Sequence, residues 1–250
     1  MAKKYVLVAI LFVLIATTVV AIVHQNHVQR NKTAEYGGQL YSAGDSKEEK
    51  LVKLWIGTRK MQDTLGGDNI YADYYKQVKT IEIDRPDEAA AIKSTQRDIF
   101  KKYARYRYAE KAGISVSEKE LKEHVKNVLK DMRCSDDYRR IDNLYRKQGT
   151  TFEKEYIANR RWNIYDATSK KLSECIVRGN LKCPKGNLSD LDTAKGQDKL
   201  VSDYRRTKEG IALEKAMRDC EEALKKYGSN AKAVKKYYGS EFVFSFDSKT

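Results

Sequence analysis

Histidine is the side chain that most often performs acid–base or metal chemistry near neutral pH. This chain has three histidines, His24, His27 and His124. The first two follow an apolar N-terminal segment, and His124 lies among lysines on a predicted helix, where we expect a solvated side chain. The sequence contains no GxSxG, no HExxH and no phosphate-cradling glycine loop. It therefore predicts no catalytic site, no metal site and no cofactor.

The four cysteines could be thiols or could form disulfides. Cys175 and Cys183 flank a short glycine-containing link that a bridge could close. The alternative is four separate thiols, with Cys220 packed as a small apolar residue on its helix. There is no CxxC pair, so the sequence favours neither a zinc site nor a thioredoxin-like redox motif.

Aromatic side chains are the remaining candidates for a binding site, since the chain has 17 Tyr, 6 Phe and 2 Trp. Two predicted helices carry seven that could line a groove for apolar segments of another chain: Phe100, Tyr103, Tyr106, Tyr108, Tyr156, Trp162 and Tyr165. At helical spacing, core packing is the alternative role. Tyr103 and Tyr106 fit a buried stripe best, whereas Tyr108 and Trp162 lie off the main stripes and favour exposed contact.

The helices that would position these side chains are marked by their ends. A long helix runs from Asp87 to Gly113, and Ser117 with Glu120 forms a capping box for the next one. Ser135 or Asp136 begins a helix that reaches Gln148 and stops at Gly149. A second capping box, Thr150 with Glu153, predicts one further helix to about residue 176.

The flanking segments are less regular. Residues 46–62 predict a helix, and 78–84 alternate in a way that fits a strand or an extended link. Residues 188–228 predict C-terminal helices weakened at Gly196 and Gly210. Alternating Phe242, Phe244 and Phe246 predict a strand over 241–247.

The N-terminus predicts a membrane anchor. Residues 5–23 carry no charge, and as a helix they would span roughly 28 Å, close to the thickness of the hydrocarbon layer. A cleavable signal peptide is the alternative, but its apolar region is usually only about 7 to 15 residues long. Lys3 and Lys4 favour a cytoplasmic N-terminus for residues 1–4. The remainder, with a tether over 24–45, is then expected outside the cytoplasm.

The formal net charge of +14 needs an anionic partner or surface. Nucleic acid is disfavoured by an extracytoplasmic location and by the interleaving of lysines with acids, as in residues 118–123. Anionic lipid head groups or wall polymers explain the charge more simply.

Order and pattern together resemble a known family. The helix ending in AEKAG, the following ISVSEKELKEHVKNVL and the later YRKQGTTFEKEYIANRRWNIYDATSKKL resemble the N-terminal chaperone domain of the bacterial SurA and PrsA foldases. Gly113, Ile114, Val116, Ser117 and Glu120 match the family's G-[IV]-x-[VI]-[ST]-x-x-E join. The resemblance covers residues 87–172 well, and the rest only by layout.

This resemblance implies a mainly α fold over residues 46–250, with core helices in 86–176 and a C-terminal helix and strand that return to complete the domain. It implies a membrane-anchored, extracytoplasmic chaperone that binds unfolded or newly exported polypeptides without ATP. Prolyl isomerase activity is not expected, because the link over 176–188 is far too short for the family's parvulin domain. The alternative is a scaffold component of a cell-envelope assembly with one dedicated folded partner.

Overall fold

The computed structural model describes residues 40–42, 44–178 and 193–244, and this part of the chain is mainly α, as predicted. No helix in it is long and apolar enough to cross a bilayer, and the predicted anchor over 5–23 lies outside it. The described ranges contain ten α-helices, in chain order α1 Lys47–Leu65, α2 Ile70–Asp84, α3 Glu88–Lys111, α4 Glu118–Arg133, α5 Asp136–Lys147, α6 Phe152–Ala158, α7 Arg160–Arg178, α8 Ala194–Arg205, α9 Lys208–Tyr227 and α10 Ala231–Tyr238.

Most helix starts follow from local hydrogen bonds. The Ser117 hydroxyl accepts from the Glu120 backbone N–H while the Glu120 carboxylate accepts from the Ser117 backbone N–H, which confirms the predicted capping box. Ser135 caps α5, also as predicted. The predicted box at Thr150 is wrong by one residue, because Thr151 is the N-cap of α6 and Thr150 instead donates to the buried Glu155 carboxylate.

The segment over 78–84 is helical, so the predicted strand or extended link is wrong. Asn69 caps α2, and the buried residues Tyr71, Tyr74, Tyr75 and Val78 then recur at helical spacing against the core. Their burial decides the conformation, because a short apolar run by itself fits either a strand or a helix.

Two predicted long helices are each divided into two. The helix predicted over residues 150–176 breaks at Asn159, between α6 and α7. The C-terminal helical segment is divided into α8 and α9 by a turn. After this turn Gly210 lies so close to the Tyr204 carbonyl oxygen that an added Cβ would be 2.1 Å from it. Gly210 therefore permits the close approach of α8 and α9 rather than merely weakening a helix.

The predicted C-terminal strand does not form in the described residues. Gly239–Phe242 is a 3-10 helix, and Val243 makes a single antiparallel bridge with Asn69. The Phe244 N–H then donates to the Asp68 carbonyl oxygen at 2.8 Å. Phe242 is fully buried. The buried ring of Phe242, rather than a ladder of alternating side chains, holds this segment against the core. Residues 245–247 of the predicted strand lie outside the described residues.

The main core joins the two ends of the domain. Residues of α1, α2 and α3 pack in one cluster with residues of α8, α9, α10 and with Phe242. A smaller cluster around Phe152 joins α1, α4, α5 and α6. A third cluster packs Ala109 and Ile114 against Leu172 of α7. The turn between α6 and α7 joins the smaller cluster to the main core, since Tyr156 of α6 belongs to the former and Ile164 of α7 to the latter.

Candidate functional site

The seven aromatic residues predicted to bind another chain differ in burial. Phe100, Tyr103, Tyr106 and Tyr156 are buried, as the core-packing alternative requires. Phe100, for example, meets the ring of Tyr204 edge-on at 6.1 Å. Tyr108, Trp162 and Tyr165 are half-buried, so these three retain surface for contact.

Two other predictions concern single side chains. His124 is not solvated as expected: it is 8% exposed, and its Nε2 lies 2.9 Å from an Asp166 carboxylate oxygen, which joins α4 to α7. Its place on the inner side of α4 decides this burial. Cys175 is a half-buried thiol and Cys220 a buried one; Cys183 lies outside the described residues, so the Cys175–Cys183 bridge stays a prediction. Within the described ranges no group of three or more His, Cys, Asp or Glu residues could hold a metal ion.

A groove of about 150 Å³ lies between α1, α2 and the turn that joins α6 to α7. Its apolar lining comes from Trp55, Ala72 and Ala158. Charged side chains form much of the rest: Arg59, Asp63, Asp73, Lys76, Glu155, Arg160 and Arg161. We call this cavity the charged groove. Of the seven predicted aromatic residues none lines it, although Trp162 follows directly after Arg161.

One side of the charged groove has its charges balanced. Arg59 donates to Asp63 at 2.7 Å and to Glu155 at 2.5 Å. Glu155 also accepts from the Thr150 hydroxyl at 2.8 Å. Arg160 pairs with Glu118 outside the lining. These ion pairs fix the orientation of the side chains and leave little net charge on this side.

The other side gathers cations around one carboxylate. The Asp73 carboxylate lies 3.4 Å from Arg161 Nε and 3.6 Å from Lys76 Nζ. Burial raises the pKa of Asp73, but the cations Lys76, Arg161 and Lys102 outweigh it, so the net pKa is lowered. Burial lowers the pKa of Lys102 to about 8, although Asp73 opposes this shift. We call Asp73, Lys76, Lys102 and Arg161 the Asp73 cluster.

Aromatic rings hold the lysines of this cluster. The Lys76 ammonium lies 4.9 Å from the centre of the Trp55 ring, and that of Lys102 lies 4.4 Å from the centre of the Trp162 ring. A ring face attracts an ammonium without using its N–H donors in a strong hydrogen bond. The rings therefore position the two ammonium groups, and contacts with other residues orient their N–H donors.

Arg161 connects the groove, through Tyr103, to the backbone of Phe244. It is buried, and burial lowers its pKa. It donates to the Tyr103 hydroxyl, which in turn donates to the Phe244 carbonyl oxygen at 2.9 Å. The buried Tyr103 therefore supports the groove from behind and does not present a surface to another chain.

The sequence contained only indirect signals for this site. Asp73 and Lys76 lie three residues apart in a stretch for which the sequence predicted no element, so nothing indicated that they share one face of a helix. The Arg160-Arg161-Trp162 run was the one local hint, because cations beside an aromatic ring often mark a contact surface.

Chemically, the charged groove offers donors, acceptors and a small apolar surface, without a nucleophile paired to a base among its lining residues. It is therefore suited to binding. Neither a family model nor a curated protein nor a solved structure matches this chain, so its function has to be argued from this site and the sequence.

Proposed function

We propose that this protein is a membrane-anchored, extracytoplasmic, SurA/PrsA-like chaperone that binds unfolded or newly exported polypeptides without ATP. The observation that carries the proposal is the charged groove, in which Trp55 and two alanines adjoin side chains that can both donate and accept hydrogen bonds. An extended polypeptide offers the complementary groups, since it presents apolar side chains and unpaired backbone N–H and C=O groups.

The size of the groove implies weak and unselective binding. A cavity of about 150 Å³ takes little more than one side chain of a client. Ile157 on α6 precedes Ala158 of the lining in the sequence and is 52% exposed. We propose that its side chain adds apolar contact beside the cavity. Weak contacts of this kind suit a protein that must release its clients without an energy source.

The layout of the chain supports the family resemblance behind the proposal. The C-terminal helices return to the first two helices: the Tyr71 hydroxyl donates to the Gly228 carbonyl oxygen at 2.7 Å, and Lys235 donates to that of Thr64 at 2.8 Å. In the SurA and PrsA foldases a C-terminal segment likewise completes the domain. No parvulin domain fits between α7 and α8, so we propose no isomerase activity.

A scaffold role is the second candidate, and a different surface favours it. The Tyr237 ring stacks on that of Tyr227 at 5.2 Å and is 59% exposed. Lys226 lies against both rings. A rigid aromatic surface with flanking cations is suited to tight docking of one folded partner.

The test uses the full-length chain reconstituted into lipid nanodiscs, added in increasing ratio to several unrelated unfolding proteins while light scattering is recorded. We expect aggregation to be suppressed for all of them, and less so at moderate salt, because the net charge of +14 attracts acidic clients. Empty nanodiscs are the control. No suppression at several-fold molar excess would contradict the proposal and leave the scaffold role.

Two exposed isoleucines provide a matched pair of variants. Ile157→Ser alters the edge of the groove, whereas Ile211→Ser alters an equally exposed position on α9, at 58% exposure. We expect weaker suppression with Ile157→Ser and unchanged suppression with Ile211→Ser. Equal effects of the two changes would show that clients bind elsewhere.

A further inference from the structure

Four exposed lysines surround an exposed tyrosine where α9 ends and α10 follows. The Tyr237 ring lies between two of them, with the Lys226 ammonium 5.7 Å and the Lys236 ammonium 5.3 Å from its centre. Lys235 and Lys236 follow Lys232 by three and four positions, so these three lie on one side of α10. We call the four lysines and Tyr237 the lysine patch.

Acidic residues balance little of the charge of the lysine patch. The acids nearby pair with lysines outside the patch: Glu221 with Lys225, and Asp219 and Glu241 with Lys215. Glu222 remains on this part of α9, where it acts on Lys225 and Tyr238. Lys235 donates to the neutral carbonyl oxygen of Thr64. Within the described residues no carboxylate forms an ion pair with a lysine of the patch, which therefore presents positive charge to solvent.

The chain enters the described domain near the lysine patch. Burial and then the nearby Tyr41 raise the pKa of Tyr75, and the Tyr75 ring lies 6.4 Å from that of Tyr71. The Tyr71 hydroxyl in turn donates to the Gly228 carbonyl oxygen, in the turn between α9 and α10. Residues 24–39 can reach at most about 60 Å from the predicted anchor. The anchor would therefore keep this end of the domain close to a bilayer.

The composition of the lysine patch suits the surface of an anionic bilayer. Lysine ammonium groups are attracted to anionic head groups. A tyrosine ring with its polar hydroxyl favours the boundary between hydrocarbon and water, and lysine stems can lie along apolar surface while their charged ends reach phosphate groups. A soluble polyanion would use the lysines but not the exposed ring. The combination of ring and charge therefore favours lipid over a wall polymer.

We propose that the lysine patch docks on the anionic lipid head groups of the bilayer that holds the predicted anchor. This inference rests on the membrane anchoring in the proposed function and adds an orientation to it. The end of the domain formed by α9 and α10 lies on the bilayer, with the Tyr237 ring at the level of the head groups. The domain is then held in one orientation instead of turning freely on its tether.

The full-length chain in two kinds of nanodisc tests the proposal. One contains only zwitterionic phosphatidylcholine and the other includes anionic phosphatidylglycerol, and both carry lipid brominated near the carbonyl end of its acyl chains. Bromine quenches the fluorescence of an indole that reaches the bilayer, so Tyr237→Trp gives a reporter in the patch. We expect quenching in the anionic nanodiscs and its loss at high salt. Ile211→Trp, roughly 24 Å from Tyr227 along α9, is the control and should not be quenched.

A second substitution in the Tyr237→Trp chain tests the charge of the patch. Lys232→Gln removes a lysine that contacts neither ring, and we expect the ratio of docked to undocked chains to fall about fivefold. Lys93→Gln removes an exposed lysine from α3 and is the matched control, with no expected change. Equal quenching in these two variants would overturn the proposal.

The nanodiscs also distinguish this inference from the anchor beneath it. Retention of the chain in both nanodiscs without quenching at Tyr237→Trp would overturn the lipid contact and leave the surface to the folded partner of the scaffold role. Loss of the chain from both would overturn the anchor and the contact together. Retention in the anionic nanodiscs alone, with quenching, would support the patch and overturn the anchor.

Two further outcomes would also contradict lipid docking. Equal quenching in zwitterionic and anionic nanodiscs would show that the charge of the patch is not used. A change in the emission of Tyr237→Trp with soluble polyphosphate, but not with anionic nanodiscs, would assign the patch to an anionic polymer instead.

Discussion

The charged groove and the C-terminal end of the domain both place lysines on aromatic rings, but they use them differently. At the C-terminal end, Tyr238 stacks on Phe242 at 4.9 Å and Phe242 stacks on Tyr71 at 5.9 Å. We call these three rings, with Tyr227 and Tyr237, the aromatic cap. Rings fill the space between its helices. In the groove, the space between Trp55 and the α6–α7 turn stays open and is lined with charges.

The difference shows that residue type alone does not assign a role. A lysine lies over an aromatic ring in both regions: Lys76 over Trp55 in the groove and Lys226 over Tyr227 in the aromatic cap. In the cap the lysines are at the surface and the rings stabilise the fold by burial. In the groove Lys76 lies beside the Asp73 carboxylate on the wall of an open cavity. Charge rather than buried apolar area therefore dominates this region.

The largest expected effect is on the aromatic cap. Phe242→Ala removes a fully buried ring that contacts two others, and we expect the free energy of unfolding to fall by about 3–5 kcal/mol. Denaturant titration followed by circular dichroism measures this. Val243→Ala, at a half-exposed neighbouring position, is the control, with an expected change within about 0.5 kcal/mol. Equal losses in the two variants would mean that the cap does not close the core.

The next effect tests the charge of the groove through pH. The pKa of Lys102 in the folded chain is about 8, below its ordinary value of 10.5. Both states bind the proton below pH 8, and between these two values the unfolded chain binds more. We therefore expect stability to rise above pH 8, by on the order of 1 kcal/mol because Lys102 is partly exposed.

Four charged groups also act on the pKa of Lys102: Asp73 and Asp98 raise it, and Lys76 and Arg161 lower it. Lys102→Met keeps an apolar stem against Trp162, and we expect it to abolish the rise. Lys93→Met should preserve the rise. Above about pH 10 the buried tyrosines oppose it, because burial raises the pKa of Tyr71 and Tyr75 and the unfolded chain ionises first. The buried Cys220 thiol also opposes the rise, because burial raises its pKa and the unfolded thiol ionises first. The difference between the parent chain and Lys102→Met therefore isolates the effect of Lys102, and identical profiles would show that Lys102 is solvated.

A smaller effect concerns the hydrogen bond that connects the cap to the first helices. Tyr71→Phe removes the hydroxyl that donates to the Gly228 carbonyl oxygen at 2.7 Å, and we expect a loss of about 1 kcal/mol. Thermal or denaturant unfolding gives the value. Tyr237→Phe, on an exposed ring, should be neutral. A loss in both variants alike would assign the effect to the unfolded chain rather than to this bond.

The smallest effect separates the two candidate functions. Tyr237→Ala removes an exposed ring from the stack on Tyr227, and we expect about 0.5 kcal/mol of destabilisation. Suppression of client aggregation should stay unchanged if polypeptides bind in the charged groove. Loss of all binding with intact stability would instead favour a dedicated partner at the aromatic cap.

The sequence by itself determined the class of the fold and several helix ends. Ser117 with Glu120, Ser135, Gly113 and Gly149 were predicted as starts and stops, and the helices end and begin there. Each of these signals depends on hydrogen bonds within a few residues, so the local sequence is sufficient to specify it. The predicted chaperone role and membrane anchor stay predictions.

Only the tertiary structure decided the conformation of residues 78–84, the 3-10 turn at Phe242 and the burial of His124. It also decided the site. His124 meets Asp166 across 42 positions of the sequence, and Asp73 meets Arg161 across about twice as many. No local pattern encodes either pair. Periodicity assigns a residue to a face of its helix, but not to a partner. Packing between helices that are distant in the sequence buries some aromatic residues in the core and brings charged residues together around one groove.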